Sequence, residues 1–195
     1  MASSKALTII LLIFLAGCYP ARPQNAHYQL LENTDMATKP LAGDKVASID
    51  YDNPDIENRW CQDQRTIVEK YLLSQKVKHG RIGEWPAWHI APYVSIWAIE
   101  SIARPDWIGW WAISGDLPTD YISSGDVEPP QHPRKAIKAI AARWLKQATA
   151  WSHGQEFEGV DIPGPHSHQE LAPLLETRAK TLIDFVNNDS LWEQQ

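Results

Sequence analysis

The chain has little of what enzymes commonly use to announce themselves. It has no Gly-rich phosphate loop, no Gly-x-Ser-x-Gly nucleophile elbow and no helical His-Glu-x-x-His pair. These absences disfavour nucleotide-dependent enzymes, serine hydrolases of the α/β type and zinc peptidases. Basic residues are also scarce: Lys and Arg number 18 against 24 Asp and Glu, a formal charge of −6, and no run of them occurs. An acidic chain without a basic run argues against nucleic acid as a partner. It argues equally against a polybasic membrane patch. There are only two cysteines, Cys18 and Cys61. No internal repeat is present, and the one strongly apolar run near the start, Leu7–Leu15, is too short to span a bilayer. Aromatic mass, in contrast, is plentiful, with ten tryptophans in 195 residues.

The N-terminus reads as a secretory leader: Lys5, the apolar stretch LTIILLIFL, then Leu15-Ala16-Gly17-Cys18. The small residues before a cysteine resemble the bacterial lipobox, which implies cleavage after residue 17 and lipid on the Cys18 thiol. The competing reading is a short N-terminal anchor that is never cleaved. In the sorting pattern known for such lipoproteins, an aspartate after the cysteine marks inner-membrane retention. Tyr19 stands there instead, which points to the outer membrane, facing the periplasm. Losing Lys5 with the leader makes the mature chain one unit more acidic, so the acyl chains are left to do the anchoring. With Cys18 lipidated, Cys61 has no partner for an intrachain disulfide, and stability falls to the core. Its helical, Trp-flanked setting predicts a buried, inert thiol.

The expected organisation is a signal peptide over 1–17, a lipid-anchored tether over 18–54 and one globular domain over 55–195. Residues 19–53 are polar, punctuated by Pro20, Pro23 and Pro40, and bury too little apolar surface to offset the entropy of ordering. A short edge strand at 46–51 is the one regular element the tether offers. From Asp55 to about Val77, helical spacing of Trp60, Ile67, Val68, Tyr71 and Leu72 predicts an amphipathic helix, started by Asp52 or Asn53 ahead of Pro54 and ended at Gly80. Residues 80–92, with two glycines and two prolines, read as an irregular loop. Tyr93–Glu100 and Trp107–Ser114 read as an antiparallel hairpin, with Thr119–Ser123 as a third short strand. Alternation assigns Tyr93, Trp97, Ile99, Trp107, Trp111 and Ile113 to one side and Val94, Ile96, Ala98, Ile108, Trp110 and Ala112 to the other. Both sides are apolar, so both are expected to be covered. Two more helices follow, from Pro133 to about Ser152 and from about Glu170 to Asn187, the last with Leu171, Leu174, Leu175, Leu182, Phe185 and Val186 inward. The fold class is α+β: a compact domain of about three amphipathic helices on a small antiparallel Trp-rich sheet.

Six of the ten tryptophans, with Glu84, His89, Asp116 and Asp120, fall between Gly83 and Tyr121. Should the 80–92 loop fold over the hairpin's end, these four residues would form a carboxylate–imidazole cluster with apolar walls, a setting suited to general acid–base catalysis. The alternative is structural: Asx-turn and capping hydrogen bonds for the carboxylates, and an ordinary hydrogen-bonded histidine. Trp85, Trp88, His132 and Arg134 are candidate ligand-binding residues, the last two on the cationic start of the second helix, where an anion would be welcome. Asp126 or Glu128 would serve as that anion equally well. His166 and His168 lack a third ligand at metal-site spacing, so no metal site is expected, and no cofactor is implied.

The run GEWPAWHIAPYVSIWAIES, then GWWAISGDLPTDY, HPRKAI and a leucine-rich helix ending DSLW, resembles an uncharacterised bacterial family, domain of unknown function 4826, over about Asn58–Trp192. The resemblance implies no activity, cofactor or catalytic residue. The lipoprotein leader departs from that family's usual form. The sequence therefore supports a lipid-anchored envelope protein that binds a partner, either an envelope protein, as an immunity-type lipoprotein would, or a glycan. A small hydrolase built on the Glu84, His89, Asp116 and Asp120 set is the alternative.

Overall fold

The computed structural model describes residues 49–162 and 164–193. The signal peptide, Cys18 and most of the tether lie outside the described residues. Among those that are described, no helix is long and apolar enough to cross a membrane.

Helix α1 spans Pro54–Ser74. Asn53 caps it by accepting the Asp55 N–H, and Pro54 takes the first position, where its missing N–H costs nothing. The helix closes earlier than Gly80. Lys76 adopts the left-handed conformation at φ 56°, while Lys76 N–H and Val77 N–H reach back to the carbonyls of Leu73 and Leu72. This is a Schellman closure made without glycine, with Val77 packing on the cluster that contains Leu72. Ile67, expected inward, is exposed. No strand forms at 49–51; instead Tyr51 packs against Trp60, Cys61 and Ala91.

Four strands follow in a meander: β1 Trp88–Ile90, β2 Val94–Glu100, β3 Ile108–Ser114 and β4 Asp120–Ser123. The sheet order is β1-β2-β3-β4, every pair antiparallel. The third short strand is present, and the hairpin lies where the β-branched and aromatic pattern put it. Strand β1 was not foreseen: its three residues sit between prolines in a stretch read as loop, held because Ala87 N–H and the register to β2 lock them down.

The register corrects the expected sidedness of the hairpin. Ala98 faces Trp111 and Ile96 faces Ile113, so Trp111 and Ile113 share a side with Val94, Ile96 and Ala98. Trp97 and Ile99 share theirs with Ala112 and Trp110. A one-residue difference in register exchanges all side chains between faces, and here the turn and a bulge set it. Glu100 pairs with Ile108 and Ile99 with Trp110, leaving Gly109 as the extra residue. A Cβ on Gly109 would lie 2.8 Å from Ser101 Cα, so the bulge has no room for a side chain.

Helices α2 (Pro133–Ser152) and α3 (His168–Asn187) pack on each other and on the Val94/Ile96/Trp111 face, forming the main core. Helix α1 covers the other face, with Val68 and Leu72 against Trp97, Ile99 and Ala112. Both faces of the sheet are thus covered, as its two-sided apolar pattern requires. Helix α3 begins two residues before Glu170 because Ser167 and Glu170 form a reciprocal capping box. Leu174 points outward rather than into the core. The domain is a three-helix, four-strand α+β fold.

Candidate functional site

The four residues suspected of chemistry do not meet. His89 pairs with Ser95 on the α1 face at the β1 edge, whereas Asp120 lies opposite Ile113, on the α2/α3 face at the β4 edge. Glu84 is exposed on the loop before β1. Asp116, exposed in the β3–β4 turn, pairs with Arg178 of α3 at 3.4 Å. These two, with Tyr93, Leu117, Leu182 and Phe185, line a shallow recess. Two polar centres therefore exist, one at each edge of the sheet.

At the β4 edge Asp120 is almost fully buried. Its Oδ2 accepts from Arg143 Nη2 and from Trp144 Nε1, both at 2.6 Å, and its Oδ1 accepts the N–H of Tyr121 at 2.8 Å. Arg143 Nη2 also donates to the Tyr121 carbonyl at 2.5 Å. The N–H and C=O of Tyr121, on the last strand of the sheet, are therefore both satisfied by side chains. An edge strand is a template for unwanted pairing unless its free groups are taken up; Asp120 and Arg143 take them up here. The local pattern follows from the chain: Asp120 begins β4, and Arg143 and Trp144 are consecutive on the α2 surface that meets it. Burial, and then the Asp120 charge, push the nearby Tyr71 hydroxyl well above the ordinary tyrosine range, so Tyr71 stays neutral. Asp120 thus accepts three hydrogen bonds, one on Oδ1 and two on Oδ2, and ties the β4 edge to α2.

At the β1 edge the partner of His89 is Glu57, which sequence reasoning missed. His89 Nε2 stands 2.8 Å from Glu57 Oε1; with the carboxylate ionised, the imidazole donates. Glu57 lies in the first turn of α1, one turn before Trp60, which places it over β1. Trp60 stacks on the imidazole at 6.0 Å between centroids, and Trp85 meets it edge-on at 6.5 Å. A carboxylate–imidazole pair beside tryptophans thus does form, but from α1 and β1. The signal for it was available in principle: an acidic residue in a capped first turn, one helical turn from an aromatic. His89 is nearly buried, and the Glu57 side chain is 27 % exposed, so the pair reaches solvent on the carboxylate side.

The remaining candidates are structural partners. Trp88 points into the main core, donates to the Leu191 carbonyl at 3.0 Å and stacks on Trp192 at 4.4 Å. Trp85 is half-buried. His132 caps α2 through Nδ1, which accepts the Arg134 N–H at 3.2 Å. Burial and the neighbouring cations Lys135 and Arg134 hold the His132 imidazole below its usual range, consistent with a neutral acceptor ring. Arg134 reaches the far end of α3: Nε donates to the Val186 carbonyl at 2.7 Å, and Nη2 lies 2.5 Å from Asp189 Oδ1. Its anion is therefore Asp189 rather than Asp126 or Glu128, and the bond fixes α2 and α3 antiparallel. His168 stacks on Trp151 at 4.4 Å. Among the described residues no group of three or more His, Cys, Asp or Glu is placed to hold a metal ion. Cys61 is a buried free thiol.

The family model "Domain of unknown function (DUF4826)" matches residues 55–192. No curated protein and no solved structure matches the chain. The matched stretch runs from the first turn of α1 to the Trp192 that stacks on Trp88, and so takes in the whole sheet, all three helices and both polar edges. The chain belongs to the DUF4826 family.

Proposed function

We propose that this protein is a lipid-anchored component of the bacterial envelope, on the outer membrane facing the periplasm, whose domain works by binding a partner. One observation carries the reading over its rival: Glu84, His89, Asp116 and Asp120 do not converge, Glu84 and Asp116 lying on exposed loops and His89 and Asp120 on opposite edges and faces of the sheet, with Asp120 held by Arg143, Trp144 and the Tyr121 N–H. The leader and Cys18 motif support the anchor. Five tryptophans, Trp88, Trp97, Trp111, Trp144 and Trp151, are fully buried, and among the described residues Trp107 is the one tryptophan that is exposed, which disfavours a row of rings for stacking on sugars. A protein partner, of the kind an immunity-type lipoprotein meets, is favoured over a glycan on that ground.

The test is affinity capture of the processed protein from envelope extracts after crosslinking in cells. A recurrent, stoichiometric protein partner is expected, and its absence under repeated conditions would refute the binding role. Cys18→Ser is expected to remove the protein from the membrane fraction; persistence there would refute the lipid anchor.

A second reading, a small hydrolase, draws on the Glu57–His89 pair, whose 2.8 Å contact is within proton-transfer reach. Hydrolysis of ester or glycoside reporters that is lost in both Glu57→Gln and His89→Asn, with folding intact, would establish it.

A further inference from the structure

We infer that one end of the domain, formed by the last turn of α1, residues 76–81 and the β2–β3 turn, rests on an anionic bilayer surface. The inference builds on the anchored reading above and concerns how the anchored domain is oriented.

The sequence contains no basic run, but the fold brings two separated segments together. Gly80 N–H donates to the Glu100 carbonyl at 2.8 Å, and Glu100 N–H to the Arg81 carbonyl at 2.9 Å. This lays residues 76–81 beside the turn at 101–107. Together the two segments carry Lys76, Lys78, Arg81 and Arg104 against Asp106 and Glu100 at their junction, in a chain whose formal charge is −6. Arg81 pairs with Glu100 at 3.9 Å; Lys76, Lys78 and Arg104 are exposed.

The same end gathers exposed apolar side chains. Leu73 is 76 % exposed, Ile102 62 % and Trp107 37 %, half of the six large exposed hydrophobics among the described residues. Arg104 lies over the Trp107 ring at 3.9 Å, pairing a cation with an aromatic of the type enriched at membrane–water interfaces. Packing does not require this display, since the turn is built by polar contacts beneath it. Glu100 Oε1 accepts the Asp106 N–H at 3.0 Å, Ser101 Oγ the Arg104 N–H at 3.2 Å, and Asp106 holds φ at 64°. The tip is therefore preorganised, with Ile102 and Trp107 exposed and Arg104 on the Trp107 ring. Anionic headgroups complement the cations, and the interfacial region receives Ile102 and Trp107.

The test starts from the full chain, processed in cells and extracted from membranes. Mass spectrometry of its N-terminus reports lipid on Cys18 independently of docking. The protein is then combined with phosphatidylcholine vesicles carrying brominated acyl chains, with and without phosphatidylglycerol. In the anionic vesicles bromine is expected to quench about a tenth of the emission, one tryptophan's share of ten. Trp107→Phe is expected to abolish that quenching, and each of Lys76→Ala, Lys78→Ala and Arg104→Ala to weaken docking roughly fivefold at low salt. Thermal melts of the same variants report folding. Quenching that is absent, or that survives Trp107→Phe, overturns the inference while a lipidated Cys18 leaves the anchor standing. If Cys18 carries no lipid, the anchor reading fails, and the same quenching with the chain added to vesicles still decides the docking. Salt-reversible capture of an acidic protein through these residues, without vesicle quenching, also overturns it.

Discussion

The two edges of the sheet solve one problem with opposite chemistry. At the β4 edge a buried carboxylate and a guanidinium occupy the free backbone groups of Tyr121, and Trp144 completes the carboxylate's shell. At the β1 edge closure is mainly aromatic: Trp192 lies flat on Trp88, Leu191 accepts the Trp88 N–H, and Trp60 and Trp85 flank His89. The first edge is rigidly specified because an unpaired buried charge is so costly. The second leaves an acid–base pair within reach of water. Residue type alone therefore does not mark a functional centre: Asp120 is the more deeply buried carboxylate and accepts three hydrogen bonds, while Glu57, paired with His89, is the one that reaches solvent.

The largest expected effect breaks the polar edge. Asp120→Ala strands Arg143, Trp144 and the Tyr121 N–H, and should cost about 3–5 kcal/mol in urea unfolding. Because Asp120 is buried and Arg143 only partly exposed, the loss should change little between low and high salt. The double change Asp120→Asn with Arg143→Met removes both charges and should recover a large part of it. Failure to recover would mean that hydrogen bonds, not charge, dominate this edge.

At the apolar edge Trp192→Ala should cost about 2 kcal/mol, since the ring is half-buried and stacked. A double-mutant cycle with Trp88→Phe should show coupling of about 1 kcal/mol. Coupling near zero would mean the stack is incidental.

A smaller effect is expected at Glu57. Glu57→Gln keeps the geometry and should cost roughly 1 kcal/mol, while shifting the His89 titration measured by NMR. An unmoved titration would show that the two groups do not communicate.

The smallest effect concerns His132 and depends on pH. Its pKa is depressed in the folded state, so the unfolded chain binds more protons in the window below the ordinary histidine value. Stability from this group is full above that value and is lost as pH falls towards the folded pKa. His132→Asn keeps a capping acceptor and does not titrate. Thermal melts should find the wild-type protein losing stability relative to this variant between about pH 7 and pH 5. A difference independent of pH would assign the cap no role in titration.

Much of this fold was legible because periodicity reports burial directly. Ile137, Ile140, Ala141, Trp144, Ala148 and Trp151 recur at helical spacing and are all buried. Asn53 and Pro54 mark the start of α1 by their chemistry, and Pro133 that of α2. What stayed hidden depends on pairing between distant residues. The hairpin's sidedness turned on Gly109, whose bulge is dictated by contact with Ser101. β1 is too short to show a period and exists through its register with β2. Leu174 and Ile67 fit their helices' apolar spacing yet face outward, because the packing arc is narrower than the stripe. The candidate site fared less well for the same reason. His89 meets a carboxylate, but that of Glu57, 32 residues upstream, and none of the three carboxylates grouped with it from the sequence.

The hydrogen bond from Trp88 to Leu191 joins positions 103 residues apart. Its consequence lies in time rather than in shape. A chain emerging from the ribosome or a translocation channel can complete α1, the sheet and α2 while the last helix is still absent. Until residue 192 is free, however, Trp88 has neither its acceptor nor its stacking ring, and the first strand offers water a bare aromatic edge. Residues through 192 must be made before this side of the protein can shut, and for that interval the new chain carries exposed aromatic surface of the kind that promotes association.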